Sequence, residues 1–264
     1  MKTIEIEYLY IETTQNKRKI QILLPDQYYQ SNQRYPVLYM HDGQNLFDDQ
    51  SSYSGNSWGI SETISELVKK NLIKDIIVVG IDNSDQRLLE YSPWQPSKEV
   101  SQMIGFEMGG LGDIYADFIV NKVKPFIDQK YRTNPNYEST MIAGSSMGAF
   151  ISAYIAIKYP KQFYYVGIFS LASWFNEDAF LEFMKSSTID IHQKFFISIG
   201  SHETSDPSRA DFNEIYLKNS RNLLSLLKEK GLSDILYIET DDTHHESAWK
   251  KVFVDFIRFV NRNN

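Results

Sequence analysis

Residues 140–152, which read TMIAGSSMGAFIS, limit the fold of this chain more than any other stretch. An apolar run leads there into a G-x-S-x-G motif, from Gly144 to Gly148 with Ser146 at its centre, and an apolar helical pattern follows and stops before Pro160. A serine between two such glycines forms a tight turn from a strand into a helix, because side chains at the glycine positions would clash where the two elements cross. The stretch therefore predicts a buried strand, a turn that exposes the Ser146 hydroxyl, and a covered helix.

Strand and helix patterns alternate along the rest of the chain. Continuous apolar runs predict strands that are covered on both faces, at residues 35–41, 75–82, 139–143, 164–169, 194–200 and 235–239. Alternating residues predict an antiparallel hairpin at a sheet edge, formed by residues 4–11 and 19–24. Helical spacing covers residues 60–71, 113–130, 147–159, 177–184, 212–230 and 247–260. This order predicts one α/β domain with a mostly parallel, doubly wound sheet of about eight strands, which binds ligands beyond the carboxyl ends of its strands.

Residues 83–112 interrupt this alternation. They show no clear periodicity and contain two prolines and four glycines. Loops of this length in a compact domain are usually functional. We therefore expect this segment to form a wall or lid over the site.

Composition excludes several classes of partner. The 264 residues carry a net charge of −7 and contain no basic block, which argues against a nucleic acid or an anionic membrane as partner. The chain has no cysteine, so a disulfide scaffold and a thiol nucleophile are excluded. Residues 1–10 alternate charged and apolar side chains, unlike a signal peptide or a membrane span, and predict a cytoplasmic protein. A homo-oligomer is left open.

A serine hydroxyl needs a base to become a nucleophile, and the base needs a carboxylate that fixes its tautomer. On sheets of this kind the chain order is serine, acid, histidine. His244 and His245 follow the last predicted strand and precede the last helix. We expect His244 to be the base, since His245 lies nearer the helix and more naturally begins or docks it.

The acid is expected after the preceding buried strand. Glu203 lies three residues past Gly200 and is the first choice, with Asp206 as the alternative. Asp241 and Asp242 lie so close in sequence to His244 that we expect them to cap or solvate the loop.

The oxyanion of a tetrahedral intermediate needs hydrogen-bond donors. The backbone N–H of Met147, directly after Ser146, is the first expected donor, and the loop after the third strand should supply the second. Gly43 permits an unusual backbone path there, which would present the N–H of Gln44. No metal or other cofactor is expected, because His245 begins an H-E-x-x-H pattern in which residue 249 is tryptophan.

Six stretches resemble the esterase family of α/β-hydrolases, which includes esterase D-like S-formylglutathione hydrolases, feruloyl and acetyl xylan esterases, siderophore (enterochelin-type) esterases and mycolyltransferases. They lie in the same order along the chain, at residues 39–44, 90–94, 144–148 with 159–160, 169–174, 200–203 and 244–249. The resemblance implies an α/β-hydrolase fold from about residue 35 to the end. Its histidine, five residues before a tryptophan, matches His244, and its oxyanion donor and acid match Gln44 and Glu203. The sequence departs from the family at Ala149, where a second glycine is common, and at Glu203, where many members have aspartate.

These observations predict a carboxylesterase-type serine hydrolase that acts on a small to medium ester. The resemblance is strongest to the siderophore-esterase-like branch, in which Arg87 and residues 90–94 would line the mouth of the site. An apolar acyl or aromatic pocket would be bounded by Trp94, Phe106, Trp174 and Phe175. Two alternatives keep the fold: an acyltransferase that uses the same site, and a binding protein without turnover.

Overall fold

The computed structural model describes residues 3–105, 109–206 and 208–262, and its centre is an eight-stranded sheet in the order β1-β2-β4-β3-β5-β6-β7-β8. β1 pairs antiparallel with β2, and β2 antiparallel with β4, whereas all other neighbours are parallel. The strands are β1 (Thr3–Ile11), β2 (Asn16–Leu24), β3 (Val37–His41), β4 (Ile77–Ile81), β5 (Thr140–Ser145), β6 (Tyr165–Phe169), β7 (Lys194–His202) and β8 (Ile235–Thr243). The predicted edge hairpin and the mostly parallel, doubly wound sheet are confirmed.

Helices cover both faces of the sheet. They are α1 (Ile60–Lys69), α2 (Arg87–Glu90), α3 (Lys98–Ile104), α4 (Gly112–Phe118), α5 (Lys124–Lys130), α6 (Met147–Lys158), α7 (Glu177–Ser186), α8 (Phe212–Glu229) and α9 (Glu246–Asn261). α1 and α9 pack on the face that carries Leu38 and Met40, and α4 to α8 pack on the face that carries Val37 and Tyr39. Among the described residues, no helix combines the length and the apolar character needed to cross a bilayer.

The helix predicted at residues 113–130 is divided by a π-helical turn at Ile119–Val123. Pro125 is the second residue after this turn. Proline has no N–H to donate and its ring crowds the carbonyl four residues earlier, so a continuous α-helix would be strained there. The wider turn relieves that strain while α4 and α5 stay nearly continuous.

Residues 83–112 contain two short helices, α2 and α3, which the sequence did not predict. Glu90, at the end of α2, forms a buried ion pair with Arg18 of β2, and Arg18 Nη2 lies 2.7 Å from each carboxylate oxygen. The contact fastens this segment to the hairpin at the sheet edge. Residues 106–108, including Phe106, lie outside the described residues.

β5 and α6 cross at very short range. A Cβ atom on Gly144 would lie 2.5 Å from the Gly148 carbonyl oxygen and 2.6 Å from its carbonyl carbon. Because both contacts are with backbone, no side-chain rotation can relieve them. The first glycine of the motif is therefore required by the crossing itself.

We expect Gly144→Ala to lower the free energy of unfolding by about 2–3 kcal/mol, the usual cost of overpacking a core. Urea denaturation measures the change. Gly55→Ala is the control, because Gly55 has a φ of 74° but nothing within 4 Å of its Cβ position. It should cost only about 1 kcal/mol of backbone strain. Equal losses in the two variants would contradict the steric argument.

Candidate active site

Ser146 occupies the turn between β5 and α6 in a backbone conformation that residues other than glycine rarely adopt, with φ 57° and ψ −126°. Its N–H donates to the Phe169 carbonyl at 2.9 Å, and its carbonyl accepts from the Phe150 N–H at 3.1 Å. The residue is partly exposed, although its neighbours Ser145 and Met147 are buried. Strained positions of this kind persist where the surrounding structure holds them, and they cluster at functional sites.

Glu203 and His244 form a contact between a carboxylate and an imidazole. His244 Nδ1 hydrogen-bonds Glu203 Oε2, and the glutamate is 2% exposed. An ionised carboxylate only accepts hydrogen bonds, so the proton of the neutral imidazole lies on Nδ1 and the Nε2 lone pair is free to take another. The arrangement can hold a general base in the correct tautomer.

The second carboxylate oxygen of Glu203 is held by two donors. Oε1 accepts from the Gly200 N–H at 3.0 Å and from the Ser170 hydroxyl. Ser170 in turn accepts from Trp249 Nε1 at 2.8 Å. A chain of hydrogen bonds thus runs from Trp249 through Ser170 to Glu203 and His244, and it fixes the direction in which the carboxylate points.

Two aromatic rings enclose the His244 imidazole. Trp249 meets it edge-on and Tyr216 is tilted against it, each with its ring centroid 5.0 Å from that of His244. The Tyr216 hydroxyl hydrogen-bonds Ser205 Oγ at 2.6 Å. Burial raises the pKa of Tyr216 to about 12, while the neighbouring Ser205, Trp174 and Ser146 oppose the shift. Tyr216 is therefore a neighbour of both the nucleophile candidate and the base candidate.

Ser146 and His244 both line a half-open cavity of about 560 Å³. It is lined by residues from the loops after β3, β4, β5 and β8, all at the carboxyl edge of the sheet: Asp42, Gln44, Asn45, Ser51, Tyr53, Ser54, Asn83, Arg87, Ser145, Ser146, His244, His245, Glu246 and Trp249. Its volume suits a small to medium ligand.

The loop after β3 bends sharply beside this cavity. Asp42 adopts a left-handed conformation with φ 56°, and a one-turn 3₁₀ helix follows at Gly43–Asn45. The Asn45 and Leu46 N–H groups donate back to Asp42 and Gly43. Within residues 3–105, 109–206 and 208–262 the Gln44 N–H makes no such bond. The first N–H groups of α6, including that of Met147, have no partner within the helix, as at any helix start.

A charged pair supports that loop. Arg87 Nε and Nη2 each lie 2.8 Å from one Asp42 carboxylate oxygen, and Asn83 Nδ2 donates to Oδ1 at 2.6 Å. Burial alone would raise the pKa of Asp42, but Arg87 and Asn83 more than offset it, so the pKa lies below its ordinary value. Arg87 also lies over the Tyr91 ring, 5.0 Å from its centroid.

His41 lies behind the same loop and is 2% exposed. Its Nδ1 hydrogen-bonds the Tyr115 hydroxyl at 2.9 Å, and its buried Nε2 has no partner among the described residues. Burial lowers the pKa of His41 to about 3. This histidine is therefore neutral in the folded protein at physiological pH.

The other candidate acids and bases from the sequence analysis have different partners. His245 lines the cavity but also caps α9, since its Nδ1 accepts from the Ser247 N–H at 3.1 Å. Asp206 is partly exposed and bonds Ser208, while Asp241 pairs with His202 and Asp242 with Lys251.

The predicted pocket aromatics lie deeper. Trp94 packs among Phe150, Tyr154, Phe180 and Phe183, away from the cavity lining. Trp174 packs against Tyr216 and Phe212, and its buried Nε1 has no hydrogen-bond partner in the described part of the chain.

No group of three or more His, Asp or Glu side chains suited to a metal ion occurs among the described residues.

The profile of the family described as "Putative esterase" matches residues 11–260. The chain belongs to this esterase family. Membership supports a hydrolase that acts on small-molecule esters, and it confirms the resemblance found in the sequence.

Relatives of this esterase span nearly its whole length. "Uncharacterized protein YbbA" of Bacillus subtilis (strain 168) is 26% identical over 253 residues, which is 94% of each chain. An IroE-like serine hydrolase from Shewanella oneidensis superposes with a TM-score of 0.78 at 20% identity, covering 99% of this chain and 81% of that one. A ferulic acid esterase gives a TM-score of 0.74 at 16% identity and covers 99% of both chains. These superpositions confirm the α/β-hydrolase fold.

Several residues of this candidate site were not assigned from the sequence. Ser170 follows β6 as Ser146 follows β5, so a polar residue just beyond a neighbouring strand was the available signal. Tyr216 carried none, because its spacing on α8 is that of an ordinary core residue. The Arg87 partner, Asp42, was hidden because sequence alone does not show which loop an arginine reaches.

The low pKa of His41 makes stability depend on pH. The unfolded chain binds a proton near pH 6.5 whereas the folded chain does not until about pH 3, so the stabilisation present above pH 6.5 is lost as the pH falls. Between pH 7.5 and 4.5 the parent should lose roughly 2–3 kcal/mol more than His41→Gln. Urea denaturation at both pH values measures the difference. His192→Gln, which removes an exposed histidine, should keep the parental slope; equal slopes for all three proteins would contradict the assignment.

Proposed function

We propose that this protein is a serine carboxylic-ester hydrolase in which Ser146 is the nucleophile, His244 the base and Glu203 the acid. The observation that carries the proposal is the contact between His244 Nδ1 and the buried Glu203 carboxylate, beside the cavity that Ser146 and His244 both line. The strained turn at Ser146 and the two unpaired N–H groups nearby support the same reading.

In the proposed reaction, Ser146 Oγ attacks the ester carbonyl carbon while His244 Nε2 takes the hydroxyl proton. Charge collects on the carbonyl oxygen, and the backbone N–H groups of Met147 and Gln44 stabilise it. The imidazolium then protonates the alcohol oxygen as the bond from carbon to that oxygen breaks. Glu203 stays ionised throughout and balances the charge of the imidazolium.

Water completes the cycle. His244 takes a proton from water, the hydroxide attacks the acyl carbon, and the proton is returned to Ser146 Oγ as the acid leaves. The half-open cavity admits water to the acyl group. An acyltransferase would use the same residues with an alcohol in place of water, and product analysis with added alcohols separates the two.

Arg87 is the best placed of the proposed substrate-binding residues. It lines the cavity while two of its nitrogens hold Asp42, and its side chain is 27% exposed. Trp174 contributes through Tyr216, against which it packs. Trp94 would act only by supporting α6 from behind, through Phe150 and Tyr154.

The direct test combines a covalent probe with an ester screen. A fluorophosphonate should label the parent at Ser146 and fail to label Ser146→Ala. A screen of p-nitrophenyl esters over acyl lengths, with feruloyl, sugar-acetyl, lactone and thioester substrates, should find turnover that Ser146→Ala lacks. A parent that neither reacts with the probe nor cleaves p-nitrophenyl acetate would instead be a binding protein on a hydrolase scaffold.

The two acid candidates can be separated by isosteric amides. Glu203→Gln cannot balance the imidazolium and should lower kcat by about 10³–10⁴, as expected when the acid of a triad is neutralised. Asp206→Asn should keep parental kcat, because the bonds of the Asp206 carboxylate to described residues stay within its own loop. Steady-state hydrolysis of p-nitrophenyl acetate measures both. Loss of activity in Asp206→Asn alone would transfer the role to Asp206.

Removing the Ser170 hydroxyl should lower kcat/KM by about tenfold, in the range seen when a partner of a catalytic group is lost. A carboxylate with one donor fewer holds the imidazolium more strongly, so the acidic limb of the kcat/KM profile should also move to higher pH in Ser170→Ala. Ser220→Ala is the control, since Ser220 is a buried serine of α8 whose hydroxyl has no partner within the described ranges. An unshifted profile in Ser170→Ala would leave Ser170 with a packing role only.

A further inference from the structure

The charges of the ionisable side chains that line the cavity do not sum to zero. Asp42 and Arg87 neutralise each other through two contacts of 2.8 Å. Glu203 hydrogen-bonds His244 and lies outside the cavity lining. Among the described residues, Glu246 is left as the ionisable lining group without an ion-pair partner.

Glu246 is the first residue of α9 and is 6% exposed. Its Oε1 accepts one long hydrogen bond, 3.4 Å, from Asn45 Nδ2. It makes no ion pair with any described residue. Lys250 lies one turn later on α9, but its ammonium group reaches Gly59 and acts on Asp49.

A buried carboxylate without a counter-ion is costly unless something at the site repays it. The amino-terminal end of α9 favours negative charge at this position and supplies part of that compensation. A ligand that brings a hydrogen-bond donor or a positive charge into the cavity would supply more. A ligand that brings a carboxylate or a phosphate would add repulsion in a partly desolvated site.

We propose that Glu246 determines specificity, and that the site selects esters that are neutral, hydroxylated or cationic near the scissile bond over esters that carry an anion there. This inference rests on the proposed esterase function and adds the class of substrate to it. Its opposite is a packing role, in which Glu246 only ties Asn45 to α9.

The experiment compares three p-nitrophenyl esters of similar length at pH 8: the butyrate, the anionic hemisuccinate and the cationic 4-(trimethylammonio)butyrate. The parent should show the highest kcat/KM for the cationic ester, relative to the butyrate, and the lowest for the hemisuccinate. Glu246→Gln keeps the shape and the Asn45 contact but removes the charge. It should raise kcat/KM for the hemisuccinate relative to that for the butyrate about fivefold to tenfold. It should also lower kcat/KM for the cationic ester relative to that for the butyrate.

Glu62→Gln is the matched control, since it makes the same change in net charge on the exposed surface of α1. It should leave both ratios at the parental values. Raising NaCl from 0.05 to 0.5 M should bring the kcat/KM values of the three esters closer together in the parent itself. This tests the charge effect without a variant.

Ratios that do not move in Glu246→Gln or with salt, while butyrate is still cleaved, would overturn the role of Glu246 and leave the esterase proposal intact. Absence of butyrate cleavage by the parent would overturn both. A parent that prefers the hemisuccinate would contradict the inference directly.

Discussion

Close contact between the backbones of Gly144 and Gly148 is the constraint on which the site depends. Because α6 starts directly after the end of β5, Ser146 joins the two elements with a positive φ of 57°. The remaining groups reach the same place because parallel strands end at one edge of the sheet. β3, β7 and β8 bring the loop after β3, Glu203 and His244 to that edge.

Two buried ion pairs position α2, which is not part of the sheet. Ion pairs such as Arg18 with Glu90 and Asp42 with Arg87 contribute little net stability, because desolvation consumes most of their attraction. Both pairs involve α2, and each ties it to a different strand or loop. They hold α2 against β2 and the loop after β3, with Asn83 and Arg87 in the cavity wall. The neutral, buried His41 adds to this packing from behind the loop after β3.

Periodicity predicted the sheet and the helices well, because buried parallel strands and amphipathic helices leave strong local patterns. Ser146, Glu203 and His244 could be ranked because each follows a strand in a fixed chain order. The short helices α2 and α3 are held by long-range contacts such as Arg18 with Glu90, and local sequence carries no trace of those. Trp94 and Trp174 illustrate the same limit. The sequence pattern around an aromatic residue in a loop is the same whether its side chain faces a ligand or the core. Here both side chains pack against other rings.

The position of Arg18 has a practical consequence for anyone who handles this protein. The arginine sits on β2, at the opposite end of the strand order from β8, yet its partner Glu90 ends the helix that begins with Arg87. Removing the β1–β2 hairpin would leave the buried Glu90 carboxylate without its counter-ion and would loosen α2, whose Arg87 lines the cavity. An immobilisation handle or a fusion partner belongs before β1, where it leaves that remote fastening intact.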